Sequence, residues 1–242
     1  MECWQKMKET EVWNSCAEVW GKERLYGAPV AVVDVETTGL DTSTCRVLQI
    51  SVVHANLGMG NAEVVYNEYI NPGCPIPPET TKIHSITDDM VKSGFGFKDH
   101  VTRLRELLRG RILVAYHLPY DYAVLNAEFG RLGLETIPWF GICAKVLACY
   151  VDNGKSGKGY HRLENVAKRR GYTFRAHDAS EDALVTAKML DGLLGEASRM
   201  AKRKFGLVRE YWSFQREEAI KWERGLRLYY NSTGGNWPWT DW

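Results

Sequence analysis

Apolar positions recur along the chain with two different periods, and the changes of period mark out its elements. PVAVVDVE (29–36) is an unbroken β-branched run, the pattern of a central strand buried on both faces. RVLQISVVHA (46–55) and AEVVYNEYI (62–70) alternate instead, on either side of the turn NLGMGN. Together the three runs predict an antiparallel meander. NPGCPIPPETT fits neither period, and its prolines predict an extended loop. The helical period returns in FKDHVTRLRELLRG (97–110), which stops at a glycine. RILVAY (111–116) reads as a second central strand, and PYDYAVLNAEFGRLG (119–133) as a helix with proline at its start. Further helices are expected over about 142–151, 162–170 and 179–195. A meander followed by strand–helix alternation specifies an α/β domain with helices on both faces of its sheet.

Two shifts in composition frame this block. Residues 1–28 hold Trp4, Trp13 and Trp20, with Val12, Cys16 and Val19 at the spacing of an amphipathic helix. Residues 29–196 contain only Trp139. From 197 onward come nine Lys/Arg, five Asp/Glu and five tryptophans. Here Phe205, Val208, Trp212, Ala219, Trp222, Leu226 and Tyr229 step by three and four, interrupted by Gln215, predicting one helix over about 199–230. The partition is therefore an N-terminal helical extension (1–28), a catalytic-type domain (29–196), and a Trp-rich basic helix and tail (197–242). The apolar face of the last segment is expected to dock on the domain, against the Trp13–Trp20 helix for example. The alternative is a surface for a protein partner, for self-association, or for nucleic-acid bases stacking on its aromatic rings.

Bulk properties narrow the class. A chain of 242 residues with 45% hydrophobic and 25% charged residues can bury a full-sized core without disulfides. Cys3, Cys16, Cys45, Cys74, Cys143 and Cys149 have neither CxxC nor zinc spacing, which predicts reduced thiols and a cytoplasmic setting. The polar start MECWQKMKETEVW is not a signal peptide, and no apolar run approaches the ~20 residues of a membrane span. The net charge of +1 leaves the partner open, because an acidic site can mask a basic substrate track.

Three acidic motifs carry the candidate chemistry. Asp34 and Glu36, two apart on a strand, share a face amid Val30, Val32, Val33 and Val35. Buried acids so close repel each other unless a cation lies between them. Asp121 falls one turn into the helix after strand 111–116, where the helix dipole favours an acid. Asp182 opens the helix whose inner face is Ala183, Ala187 and Leu190, five residues after His177; Asp178 and Glu181 read as solvent-facing helix-start acids.

In order and spacing, Asp34, Glu36, Asp121 and Asp182, with His177 before the last, resemble the DEDDh exonucleases, a family that includes proofreading subunits, ribonuclease T and oligoribonuclease. The resemblance covers about 29–195. It includes Ile83-His84-Ser85-Ile86-Thr87, similar to the family's IHGIT, and His161-Arg162-Leu163-Glu164, similar to its HKLD. It implies a ribonuclease H-like fold, a mixed five-stranded sheet flanked by helices. It also implies 3′–5′ hydrolysis of single-stranded DNA or RNA to 5′-mononucleotides through two Mg²⁺ or Mn²⁺ ions. Asp34 would bridge both ions, Glu36 and Asp182 would hold one, and Asp121 the other. Oxygen-only ligation suits those ions rather than zinc. His177 would be the general base, since imidazole ordinarily titrates near ~6.5. Thr37 and the backbone at Thr38 would meet the 3′-hydroxyl, Leu40 would wedge against the last base, and His84 would either cap the terminal nucleotide or close its own loop.

The sequence also departs from the family. Ala115-Tyr116-His117-Leu118-Pro119-Tyr120-Asp121 stands where AHNAxFD is usual, so His117 occupies a substrate-contacting position with a different side chain. Ser85 replaces a glycine, and Cys143 replaces an aspartate. Gly154-Lys155-Ser156-Gly157-Lys158-Gly159 is not a phosphate loop, because no strand precedes it and Tyr160 follows it. His177-Asp178 lacks the clustered histidines of an HD-type phosphohydrolase. The rival from another class is a nuclease fold kept as a nucleic-acid or protein-binding module without turnover.

Overall fold

A computed structural model of the chain describes residues 22–135, 137, 141–153, 155, 157 and 159–232, with side chains described as far as 221. The expected N-terminal helix around Trp13–Trp20, the side chains of Trp222, Leu226 and Tyr229, and the final tryptophan-rich tail lie outside the described residues.

The three leading runs form the meander that their periods predict. They are β1 (Pro29–Thr37), β2 (Val47–Asn56) and β3 (Ala62–Tyr69), antiparallel in sequence. β4 (Ile112–Ala115) then adds parallel to β1, and β5 (Gly141–Cys143) parallel to β4. The order is β3-β2-β1-β4-β5, a mixed sheet of the ribonuclease H-like kind. The sequence reading missed β5. GIC is too short to show a period, and it runs straight into α5 (Ala144–Val151), so the stretch 142–151 looked like one helix.

The proline-rich loop is also shorter than expected. Pro78 takes the first helical position of α1 (Pro78–His84), where a missing N–H costs nothing. A small separate core of Leu48, Ile76, Ile86 and Val91 holds α1 and α2 (Asp88–Val91) against β2. The helices α3 (Phe97–Leu108), α4 (Leu118–Arg131) and α6 (Leu163–Arg169) follow. α7 (Ala179–Met200) packs across β1, β2 and β3, and its Asp191 accepts hydrogen bonds from the N–H groups of Gly58 and Gly60 in the β2–β3 turn.

The C-terminal stripe belongs to two elements rather than one helix. α7 ends at Met200, the chain turns through Lys202 in the left-handed region, and α8 (Val208–Ser232) begins afresh. The turn is anchored: Leu25 N–H donates to the Gly206 carbonyl and Val208 N–H to that of Glu23, each at 3.0 Å. α8 packs on α5 and β5 with Val208, Tyr211, Trp212, Phe214 and Ala219 buried. Gln215, the interruption in the stripe, is fully buried for a reason the stripe cannot show. Its amide donates to the Gly141 carbonyl at 3.0 Å and accepts from Cys143 N–H at 2.7 Å, which caps the open edge of β5 as another strand would. Tyr211 donates to the same amide oxygen at 3.0 Å. No helix among the described residues is long and apolar enough to cross a membrane.

Candidate active site

The site forms where β1 leaves the sheet. Asp34 and Glu36 point to one face of β1, while Val33 and Val35 fill the other with core. The β1–β2 register shifts between Glu36 and Thr37, so the ladder is irregular directly after the second acid.

Asp182 arrives from α7. Gln49, opposite Glu36 on β2, fixes the start of that helix: it donates to Asn67 at 2.9 Å and accepts from Ala179 N–H at 3.4 Å. Asp178 is the N-cap, accepting from the N–H groups of Ser180 and Glu181 and pairing with Arg175. That corrects the expectation of a merely solvent-facing acid, whereas Glu181 is exposed as expected. His177 adopts φ 63° and stands exposed, with its N–H on Asp182 Oδ2 at 3.3 Å. Ligand atoms of Glu36, His177 and Asp182 all lie within 4.8 Å of one another. Asp121, in the first turn of α4, is buried beside β1.

Electrostatics ties the four acids together. Burial raises Glu36 to about 8, with Asp182 and Asp121 adding repulsion. Burial raises Asp121 to about 8 against opposing backbone N–H groups, and Asp182 to about 7. Asp34 is raised well above the carboxylate range by burial and then by Asp182, Asp121 and Glu36. Asp182 Oδ1 is buried with no hydrogen-bond partner among the described residues. Mutually repelling carboxyls with an orphaned acceptor offer the oxygen-only chemistry that suits a hard divalent cation.

The other expected contacts separate. Thr37 Oγ1 donates to the Gly39 carbonyl at 2.7 Å, and Tyr120 donates to the same carbonyl at 2.9 Å while lying 2.6 Å from Thr37 Oγ1. Thr38 is held by Arg46, whose N–H donates to its hydroxyl at 2.9 Å. Leu40 is 70% exposed beside this turn. His84 is buried, and its Nδ1 accepts from Ile86 N–H at 3.0 Å, which leaves the proton of the neutral ring on Nε2. Burial lowers its pKa, the Thr37 carbonyl opposes that, and His177 adds to the lowering. His84 thus closes its loop and also borders the site. Ser85 sits at φ 62° as the cap of α1, the conformation that a glycine adopts without strain. His117, half-buried at the N-cap of α4, is held well below its ordinary pKa by burial and then by Lys145. The sequence reading missed Gln49 and Tyr120. A polar residue in an otherwise apolar strand and a tyrosine before the third acid were the available signals.

Residues 31–190 match the RNase T family model, described as exonuclease. The chain belongs to this exonuclease family. Members are phosphodiester hydrolases, and the chain is related to the DEDDh 3′–5′ exonucleases among them. The chain is 33% identical over 153 residues to the PolC-type DNA polymerase III of Pediococcus pentosaceus, spanning 63% of this chain and 10% of that polymerase. It is 29% identical to the DNA polymerase III epsilon subunit of Treponema pallidum, over 69% of this chain and 76% of that one. Among solved structures, E. coli exonuclease I in complex with a dA16 oligonucleotide shares the fold (TM-score 0.62, 20% identity, 72% of this chain and 42% of that one). So does exonuclease X in complex with 5′-overhanging duplex DNA (TM-score 0.55, 21% identity, 75% and 98%).

Proposed function

We propose that this exonuclease hydrolyses single-stranded DNA or RNA from the 3′ end to 5′-mononucleotides, using two Mg²⁺ or Mn²⁺ ions held by Asp34, Glu36, Asp121 and Asp182. The observation that carries the reading is the convergence of four repelling acids on one another, with Asp182 Oδ1 left without a partner. The two ions would supply charge neutralisation at the phosphate and a lowered pKa for the attacking water. Solved relatives bound to DNA support a nucleic-acid strand as substrate.

The chain's own residues account for the remaining steps. The exposed imidazole of His177, within 4.8 Å of the Glu36 and Asp182 oxygens, takes the proton of the attacking water. Its left-handed backbone turns the chain just before the N-cap of α7, and its N–H keeps Asp182 oriented. The turn Thr37–Gly39, braced by Tyr120, holds the 3′-terminal sugar, with Thr38 pinned to Arg46 behind it. Leu40, exposed at the rim, packs on the terminal base, where burying apolar surface favours binding. His84 and His117 border the bound nucleotide as neutral imidazoles.

The test is direct. Protein with Mg²⁺ or Mn²⁺ is incubated with 5′-labelled single-stranded DNA, RNA and blunt duplex. The reading predicts a ladder shortening from the 3′ end of single strands, absent in EDTA. Intact single strands at every metal concentration would overturn it and favour the binding module.

A further inference from the structure

The turn that follows the second acid is closed by a hydroxyl from another element. β1 ends at Thr37, and the chain then bends through Thr38 and Gly39 to the exposed Leu40. Tyr120, one residue before Asp121 in the first turn of α4, reaches across to this bend. Three oxygens meet there. Thr37 Oγ1 donates to the Gly39 carbonyl at 2.7 Å, Tyr120 donates to the same carbonyl at 2.9 Å, and the two hydroxyls lie 2.6 Å apart. The buried Cys45 side chain also hydrogen-bonds Tyr120, which adds to the hold on the phenol. A phenylalanine at this position, as in the AHNAxFD pattern, would fill the same space without closing the triangle.

The placement of the protons decides what the turn can recognise. A hydroxyl donates once and can accept twice, and a phenol keeps its proton at neutral pH. The Thr37 proton is spent on the Gly39 carbonyl, so Thr37 Oγ1 meets a ligand as an acceptor. Turning that proton outward would break the bond to Gly39 and disturb the contact with Tyr120 as well, two interactions rather than one. The next backbone donor is also committed, since Thr38 N–H goes to the Arg46 carbonyl at 2.9 Å. A fixed acceptor pairs with a sugar end that carries a proton, and an end without one leaves it unpaired.

We propose that Tyr120 is a positioning residue for the terminal sugar: by holding the Thr37 hydroxyl as a hydrogen-bond acceptor, it sets a preference for strands that end in a free 3′-hydroxyl. The proposal rests on the exonuclease reading and its assignment of the terminal sugar to this turn, and adds the group that selects the chemistry of the end.

The test uses the Mn²⁺-loaded full chain and two single-stranded 12-mers that differ only in the last sugar. One ends in a 3′-hydroxyl, the other in a 3′-fluorine, which is of similar size and cannot donate. Release of the first nucleotide is followed for each. The wild type should favour the hydroxyl end at least about tenfold in kcat/KM, because the fluorine leaves the Thr37 acceptor unpaired. Tyr120→Phe should lower that preference about fivefold, through KM for the hydroxyl end, the worth of one hydrogen bond. Thr37→Val should remove the preference, and adding Tyr120→Phe to it should take nothing further, since the tyrosine acts through Thr37. Tyr120→Phe should also keep the Mn²⁺-induced rise in Tm, which separates a role at the turn from one at the neighbouring Asp121. An undiminished preference in Tyr120→Phe, an equal loss on both ends, a further loss of preference in the Thr37→Val background, or a lost Mn²⁺ response would overturn the proposal. Equal cleavage of both ends by the wild type would also sink it and leave the exonuclease reading standing. Failure of the wild type to cleave either strand would instead overturn that reading.

Discussion

Replacing Glu36 with glutamine should stabilise the metal-free protein while abolishing its activity. In the folded chain Glu36 titrates at about 8, against an ordinary 4.5, because it is buried among Asp34, Asp121 and Asp182. Between those values the folded state binds more protons than the unfolded one, so stability falls as pH rises. Near pH 8 the full penalty is about 4 kcal/mol, and near pH 5.5 it is about 1 kcal/mol. Glutamine keeps the shape and removes the charge, but the remaining acids still repel one another. Recovering half of the penalty gives about 2 kcal/mol near pH 8, a rise in Tm of roughly 4–8 °C for a chain of this size. The assay is thermal unfolding in EDTA at both pH values, for wild type and Glu36→Gln. A gain near pH 8 that shrinks near pH 5.5 is expected. A lower Tm near pH 8, or a gain independent of pH, would refute the electrostatic argument.

Four other outcomes follow from the same structure. Mn²⁺ should raise the wild-type Tm more near pH 8 than near pH 6, since the ion replaces protons on the raised carboxyls; an equal rise at both would count against the assigned ligands. His177→Ala should lower kcat by roughly 10²–10⁴-fold yet keep the Mn²⁺-induced rise in Tm, and an undiminished kcat would remove the residue from the chemistry. Gln215→Ala should lower stability by roughly 2–4 kcal/mol in denaturant titrations, because the Gly141 carbonyl and Cys143 N–H lose their buried partner; an unchanged midpoint would mean that water replaces it without cost. Deleting from 199 should lower the melting temperature by uncovering β5 and α5, and an unchanged melting curve would contradict the docking of α8.

The parts of this fold that were legible in the sequence share a physical origin. β1, β2 and β3 are each eight residues or longer, enough for an apolar run or an alternation to show in the sequence, so strand character and the common face of Asp34 and Glu36 could be read directly. β5 could not, because three residues contain no period, and the edge it leaves is completed by a glutamine 72 positions away from Cys143. The break between α7 and α8 was hidden for a related reason. Phe205 lies in the turn yet packs on Tyr211 and Phe214, so it keeps the apolar spacing across a gap in the helix. At the site, residues in a compact motif were visible, but their supports were not. Gln49 and Tyr120 act only through partners distant in sequence.

The central claim is that the acids at the end of β1 drive removal of nucleotides from a 3′ end. It is tested most directly by comparing wild type and Asp34→Ala, with Mg²⁺, on a 5′-labelled linear strand and on the same strand closed into a circle. The account predicts stepwise shortening of the linear strand with release of 5′-mononucleotides, an intact circle, and loss of cleavage by several orders of magnitude in a folded Asp34→Ala protein. Nicking of the circle, or undiminished shortening by Asp34→Ala, would contradict it.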